Sequence, residues 1–195
     1  MSKSKLILTA LAVAALATPA VGQNRAVVFQ VEGGGYSHTR NLNATGADAH
    51  FNTGYSLGAA AGVQFNRFFA LHVDATMARA KGLGNVAFVD HTVNRYFLGG
   101  HAEVRYPIGS FAPFVFGGAG AVIVDQQGPE AEEMFNHFTR AAGMFGAGVS
   151  FTVPGTPLEV LATGKALTYK WVASPFDRTQ LDVTYALGFA YKFGF

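Results

Sequence analysis

The chain has 195 residues, of which half are hydrophobic and only 13% charged, and it has no Cys. A formal net charge of +2 excludes a strongly basic nucleic-acid-binding surface. The missing Cys excludes a disulfide framework and a lipoprotein anchor.

The N-terminus reads as a secretory signal. Lys3 and Lys5 form a short positive region, an apolar run follows from Leu6 to about Leu16, and small residues surround Pro19. Cleavage is expected after Ala20 or after Gly22. The apolar run is too short for a membrane helix, which needs roughly 20 such residues. Removing residues 1–22 takes away two Lys and no acid, so 14 Lys+Arg fall to 12 against 12 Asp+Glu. About 170 residues remain, enough for one domain.

Period-2 alternation then runs through the mature chain. Val27, Phe29 and Val31 alternate with Gln30 and Glu32. Tyr55, Leu57, Ala59, Ala61, Val63 and Phe65 alternate with Ser56, Gly58, Ala60, Gly62 and Gln64. After a turn at Asn66-Arg67, Phe69, Leu71, Val73 and Ala75 alternate with His72, Asp74 and Thr76. Tyr96, Leu98, Ala102, Val104 and Tyr106 alternate with Arg95, Phe97, His101, Glu103 and Arg105. Residues 111–125 and 138–152 read as Gly-rich strands of weaker contrast. Residues 157–172 fit poorly, because Leu161, Leu167, Tyr169 and Trp171 share parity with Glu159 and Lys165; a bulge or an interfacial upper half would each account for it. The last strand is the clearest, with Leu181, Val183, Tyr185, Leu187, Phe189, Tyr191, Phe193 and Phe195 on one face and small or charged residues on the other.

These are eight strands, and their connections alternate in length. Asn66-Arg67, residues 107–110 and residues 154–157 are short and rich in turn residues. Residues 38–53, 80–91, 126–137 and 173–178 form the longer set. The expected fold is all-β, a transmembrane eight-stranded antiparallel up-and-down β-barrel with both termini periplasmic and the long loops facing outward. A spanning sheet must close, because lipid offers no partner for an open edge. Tyr55, Phe65, Tyr96, Tyr106, Tyr191 and Phe193 would supply interfacial aromatics. A water-soluble barrel of the lipocalin kind, with its apolar faces inside, is the structural alternative.

The chain resembles the small eight-stranded outer-membrane barrels, OmpA/OmpX-like and opacity-type surface proteins. The likeness rests on residues 111–120 (FAPFVFGGAG), residues 146–151 (GAGVSF) and the terminal Phe195 behind alternating aromatics. The resemblance implies a monomer in the cell outer membrane, in contact with outer-membrane lipid and lipopolysaccharide. It also implies that Tyr191, Phe193 and Phe195 serve as an assembly signal for the barrel-assembly machinery, after escort by periplasmic chaperones. Unlike full-length OmpA proteins, the chain is expected to carry no peptidoglycan-binding domain after the barrel.

By parity the lumen holds Glu32, Asp74, Glu103 and Asp182 against Arg95, Arg105, Arg140 and Lys192, with His72 and His101 beside them. Such charges must pair, because an unpaired buried charge costs several kcal/mol. Glu159 and Lys165 stay out of this set while their register is open. His38, His50, His91 and His137, near Asp48, Asp90 and Asp125, fall on separate loops without short ligand spacing, so no metal site is expected. Ser37-His38 does not make a nucleophile and base, because neighbours in a strand face opposite ways. Gly33-Gly34-Gly35 lacks the Lys-Ser/Thr of a phosphate loop. The expectation is a non-enzymatic barrel without cofactor or nucleic-acid partner, serving envelope integrity or surface interaction through its loops. A narrow pore is the alternative, and a lipid A-modifying enzyme a more distant one.

Overall fold

A computed structural model describes residues 25–39, 49–84, 92–127, 137–173 and 176–194. The signal-like segment and Phe195 lie outside the described residues. Eight long strands form the wall: β1 (Ala26–His38), β3 (Gly54–Asn66), β4 (Phe69–Gly84), β5 (Thr92–Arg105), β6 (Phe111–Gln127), β7 (His137–Thr152), β8 (Leu158–Ala173) and β9 (Phe176–Gly194). A three-residue strand, β2 (Ala49–Phe51), pairs with the far end of β4. Each long strand runs antiparallel to its neighbours, β1 pairs with β9, and the β4–β5 pairing completes the ring. The sheet therefore has no long free edge, which is what lipid requires of a spanning structure.

The first short turn occupies Arg67 and Phe68 rather than Asn66-Arg67, because Asn66 ends β3 and caps the turn. Its Oδ1 accepts from the backbone N–H of Phe68 at 2.8 Å and of Phe69 at 2.9 Å. Gly109 and Gly155 sit at the other two short turns with φ of 62° and 75°, a region open to Gly and costly for residues with a Cβ. The opposite end departs from the expected lengths. Strands β8 and β9 pair as far as Ala173 and Phe176, so residues 173 and 176–178 of the expected long loop belong to the strands.

Side-chain parity decides the environment. Val31, Leu57, Val73, Leu98 and Leu187 point outward and are each more than half exposed. The even positions of β4 from Ala70 to Ala80 and the odd positions of β5 other than Gly99 are buried, with Asp74, Arg95, Glu103 and Arg105 among them. A lipocalin-like barrel would have the reverse arrangement. Apolar side chains also enter the lumen: Phe97, Phe114, Phe116, Met144, Leu161 and Leu167 join one buried cluster. All six aromatics expected at the interfaces are exposed, with Phe65, Tyr106, Tyr191 and Phe193 toward the turn end and Tyr55 and Tyr96 toward the loop end.

Strand β8 needs neither a bulge nor an interfacial half. Its pairing with β7 and β9 is regular, and Glu159, Leu161, Lys165, Leu167 and Tyr169 all face the lumen. The contrast fails because this strand turns large apolar residues inward and shows Val160, Ala162 and Ala166 to the lipid.

Candidate functional site: the lumen charge network

Three polar clusters occupy the lumen at successive levels. At the turn end, Arg105 donates from Nε to Glu103 Oε1 at 2.7 Å and from Nη1 to Glu159 Oε2 at 3.2 Å. Glu159 Oε1 also accepts from Lys192 Nζ at 2.6 Å and from Thr152 Oγ1 at 3.0 Å. Strands β5, β7, β8 and β9 thus meet across the barrel through one carboxylate and one guanidinium.

In the middle, Lys165 Nζ donates to Glu32 Oε1 at 2.7 Å, to Asp74 Oδ2 at 2.8 Å and to Thr76 Oγ1 at 3.1 Å. The remaining oxygens are also bonded: Thr163 donates to Glu32 Oε2 at 3.0 Å and Thr76 to Asp74 Oδ1 at 2.8 Å. A buried ammonium with three acceptors meets the condition under which desolvation of charge is tolerated.

Toward the loop end, Asp182 is the hub. His38 Nδ1 donates to its Oδ1 at 2.5 Å, and Tyr169 donates to its Oδ2 at 2.9 Å. Arg95 approaches the same Oδ2 at 3.4 Å and lies over the Tyr36 ring, 5.2 Å from its centroid.

Seven of the eight charges assigned to the lumen by parity are therefore in these clusters, and Arg140 is not. It is half-buried near the loop end, donating to Thr139 O at 2.9 Å and lying 5.4 Å from the centroid of Phe138. The pairs at the middle and turn levels depend on two residues outside that set, Lys165 and Glu159. The signal for Lys165 is in the sequence: a cation in mid-strand of a spanning barrel must face inward, since the lipid face penalises it by about 2–4 kcal/mol, and Glu159 shares its parity. Their shared odd parity then fixes the whole strand. His38 corrects the loop-histidine reading, because it is buried in the lumen at the end of β1. His137 is exposed at the start of β7, whereas His91, Asp48 and Asp90 lie outside the described residues. Ser37 and His38 occupy opposite faces of β1, and the imidazole is committed to Asp182.

An apolar exterior, a closed wall and a charged, packed interior together define a transmembrane β-barrel of the outer-membrane type. No family model matches the chain, and no curated protein matches it in sequence. Solved structures do match. Neisserial surface protein A aligns at 14% identity and TM-score 0.65, covering 86% of this chain and 97% of that one. Outer membrane protein AlkL, solved in lipid bilayers, aligns at 14% identity and TM-score 0.56, covering 91% and 95%. Outer membrane protein OprG from Pseudomonas aeruginosa aligns at 15% identity and TM-score 0.52, covering 89% and 99%. The fold is that of the small eight-stranded outer-membrane barrels.

Proposed function

We propose that the protein is a non-conducting, non-enzymatic outer-membrane barrel that serves envelope integrity or surface interaction through its outward connections. The filled lumen carries this reading. An eight-stranded wall leaves an interior that side chains can fill. Here ion pairs and rings cross it from the Arg105–Glu159 pair to Arg95. With the core closed to solute, the outward segments within residues 38–53, 80–91 and 126–137 are left to meet other molecules, in a setting of lipid and lipopolysaccharide. In this reading residues 1–22 are removed on export and the mature barrel is a monomer.

A narrow pore is the second reading, favoured by a polar recess of about 170 Å³ at the turn end. Gln64, Arg105, Glu159 and Lys192 line it, beside the short turns. Planar-bilayer conductance of the refolded mature chain separates the two. A silent bilayer is expected, both for the native chain and at raised salt. Steady channels whose conductance changes in Arg105→Ala would instead make the turn-end cluster a gate.

We also propose that Tyr191, Phe193 and Phe195 form the signal read by the assembly machinery. Support comes from the outward exposure of Tyr191 and Phe193, and from Phe193 reaching across the β1–β9 seam to Phe29 with an edge contact of 5.8 Å. Phe193→Ser should reduce the amount of heat-modifiable barrel in cell envelopes several-fold. Unchanged assembly in a Tyr191→Ser, Phe193→Ser double variant would remove the role.

A further inference from the structure

Two imidazoles between the middle and turn-end clusters take no part in the ion pairs. His72 and His101 are register partners on β4 and β5, and their rings stack with centroids 4.9 Å apart and planes 19° apart. The far face of His101 rests against Phe116 at 5.0 Å. Both histidines are more than nine-tenths buried, yet neither nitrogen of His72 nor Nδ1 of His101 has a hydrogen-bond partner. Buried polar atoms are rarely left so, and each such atom asks for an explanation. Glu103, the next inward residue of β5, completes the group. One ligand atom from each of the three side chains lies within 4.8 Å of the other two.

We propose that His72, His101 and Glu103 form a binding site inside the barrel for a divalent transition metal of the zinc class. Two imidazole nitrogens and a carboxylate oxygen are a ligand set that zinc, cobalt(II) and nickel(II) accept, with a fourth position left for water. Ligands about 2.0–2.2 Å from zinc stand about 3.4 Å apart, so closing on the ion asks for side-chain movement of about an ångström. On the β3 side Gly62 carries no side chain, and the His72 ring lies where one would be: a Cβ there would come 2.6 Å from Nδ1. Arg105 holds Glu103 through its Oε1, which orients the carboxylate as outer partners of ligands do. The surrounding charge admits a cation. Glu32, Asp74, Glu103 and Glu159 are four carboxylates against the three cations Arg105, Lys165 and Lys192. The recess at the turn end stops at Arg105, which is bonded to Glu103, so an ion entering there must pass the Arg105 ion pairs to reach the histidines.

The test uses the mature chain refolded in detergent micelles, with zinc chloride in calorimetry and cobalt(II) chloride in visible absorption. One zinc per barrel is expected, with cobalt bands that zinc displaces. His72→Gln and His101→Gln should each weaken zinc at least about tenfold, the lower bound seen for loss of even an outer partner. A His50→Gln, His91→Gln, His137→Gln triple variant should keep the site. Absence of stoichiometric zinc binding, or binding that survives His72→Gln, His101→Gln together, overturns the proposal, as does its loss in the triple variant. Should the lumen variants fail to refold, imidazole nitrogen spectra of the native chain decide. Three histidines, His38, His72 and His101, are shielded from a soluble paramagnetic agent; zinc must shift two of these signals and leave the third, and shifts confined to accessible histidines overturn the site.

Discussion

Lys165→Met is expected to destabilise the folded barrel by about 3–5 kcal/mol, the range for removing one partner of a buried ion pair. The ammonium is 3% exposed and is the only cation bonded to either Glu32 or Asp74 among the described residues. Methionine fills nearly the same volume, so the loss reflects two carboxylates left in the lumen without their counter-charge rather than a cavity. Urea titration of the refolded barrel in lipid, followed by tryptophan emission and by heat-modifiable migration, reads the shift. A triple variant, Lys165→Met with Glu32→Gln and Asp74→Asn, should recover most of the loss, because replacing a buried charge group as a whole is often neutral. A midpoint for Lys165→Met within error of the native chain would mean that water, not Lys165, compensates these acids.

Leu98→Arg should cost about 2–4 kcal/mol, the penalty for a cation on the lipid face at the bilayer midplane. Leu98 lies at the centre of β5, outward and 61% exposed, so no protein contact accounts for its preference. Tyr106→Arg, eight residues away at the turn end and 66% exposed, should cost only about 0–1 kcal/mol, as expected near an interface. The depth gradient between two positions of equal parity is the signature of lipid. Equal effects at both, or none at Leu98, would contradict the orientation of the wall.

How far the fold could be read in the sequence depended on which side of each strand was constrained. The lipid side tolerates almost nothing polar, so the last strand from Leu181 and β5 from Tyr96 to Val104, with apolar outer faces, declare their parity. The lumen side is permissive: β5 places Arg95, Phe97, His101 and Glu103 there in sequence. Strand β8 exploits that permissiveness fully, sending Leu161, Leu167 and Tyr169 inward beside two charges while its outer face is built from small residues. Hydrophobic alternation then has no contrast to detect, and only the charges retain information. The turn-end and middle clusters were legible as a balanced charge inventory but not as pairs. Partners such as Arg105 and Glu159 come from strands that touch only through the lumen, and parity cannot rank such contacts. His38 was misplaced because β1 continues inward-facing to its last residue, where sequence reading had begun the loop. The stacked His72 and His101 were placed on the correct face, but their lack of partners is a property of three dimensions alone.

The ion pairs also bear on how such a chain can enter a membrane. Lys165 is separated from Glu32 by 133 residues and from Asp74 by 91, and His38 from Asp182 by 144. A chain inserting strand by strand would carry each of these groups into hydrocarbon long before its counter-charge arrived. Charge neutrality is available only once the first and last strands are in register, so the ring must close before, or as, it leaves water. For this sequence, a partly closed barrel in lipid would hold several lumen charges apart from their partners, each at a cost of several kcal/mol.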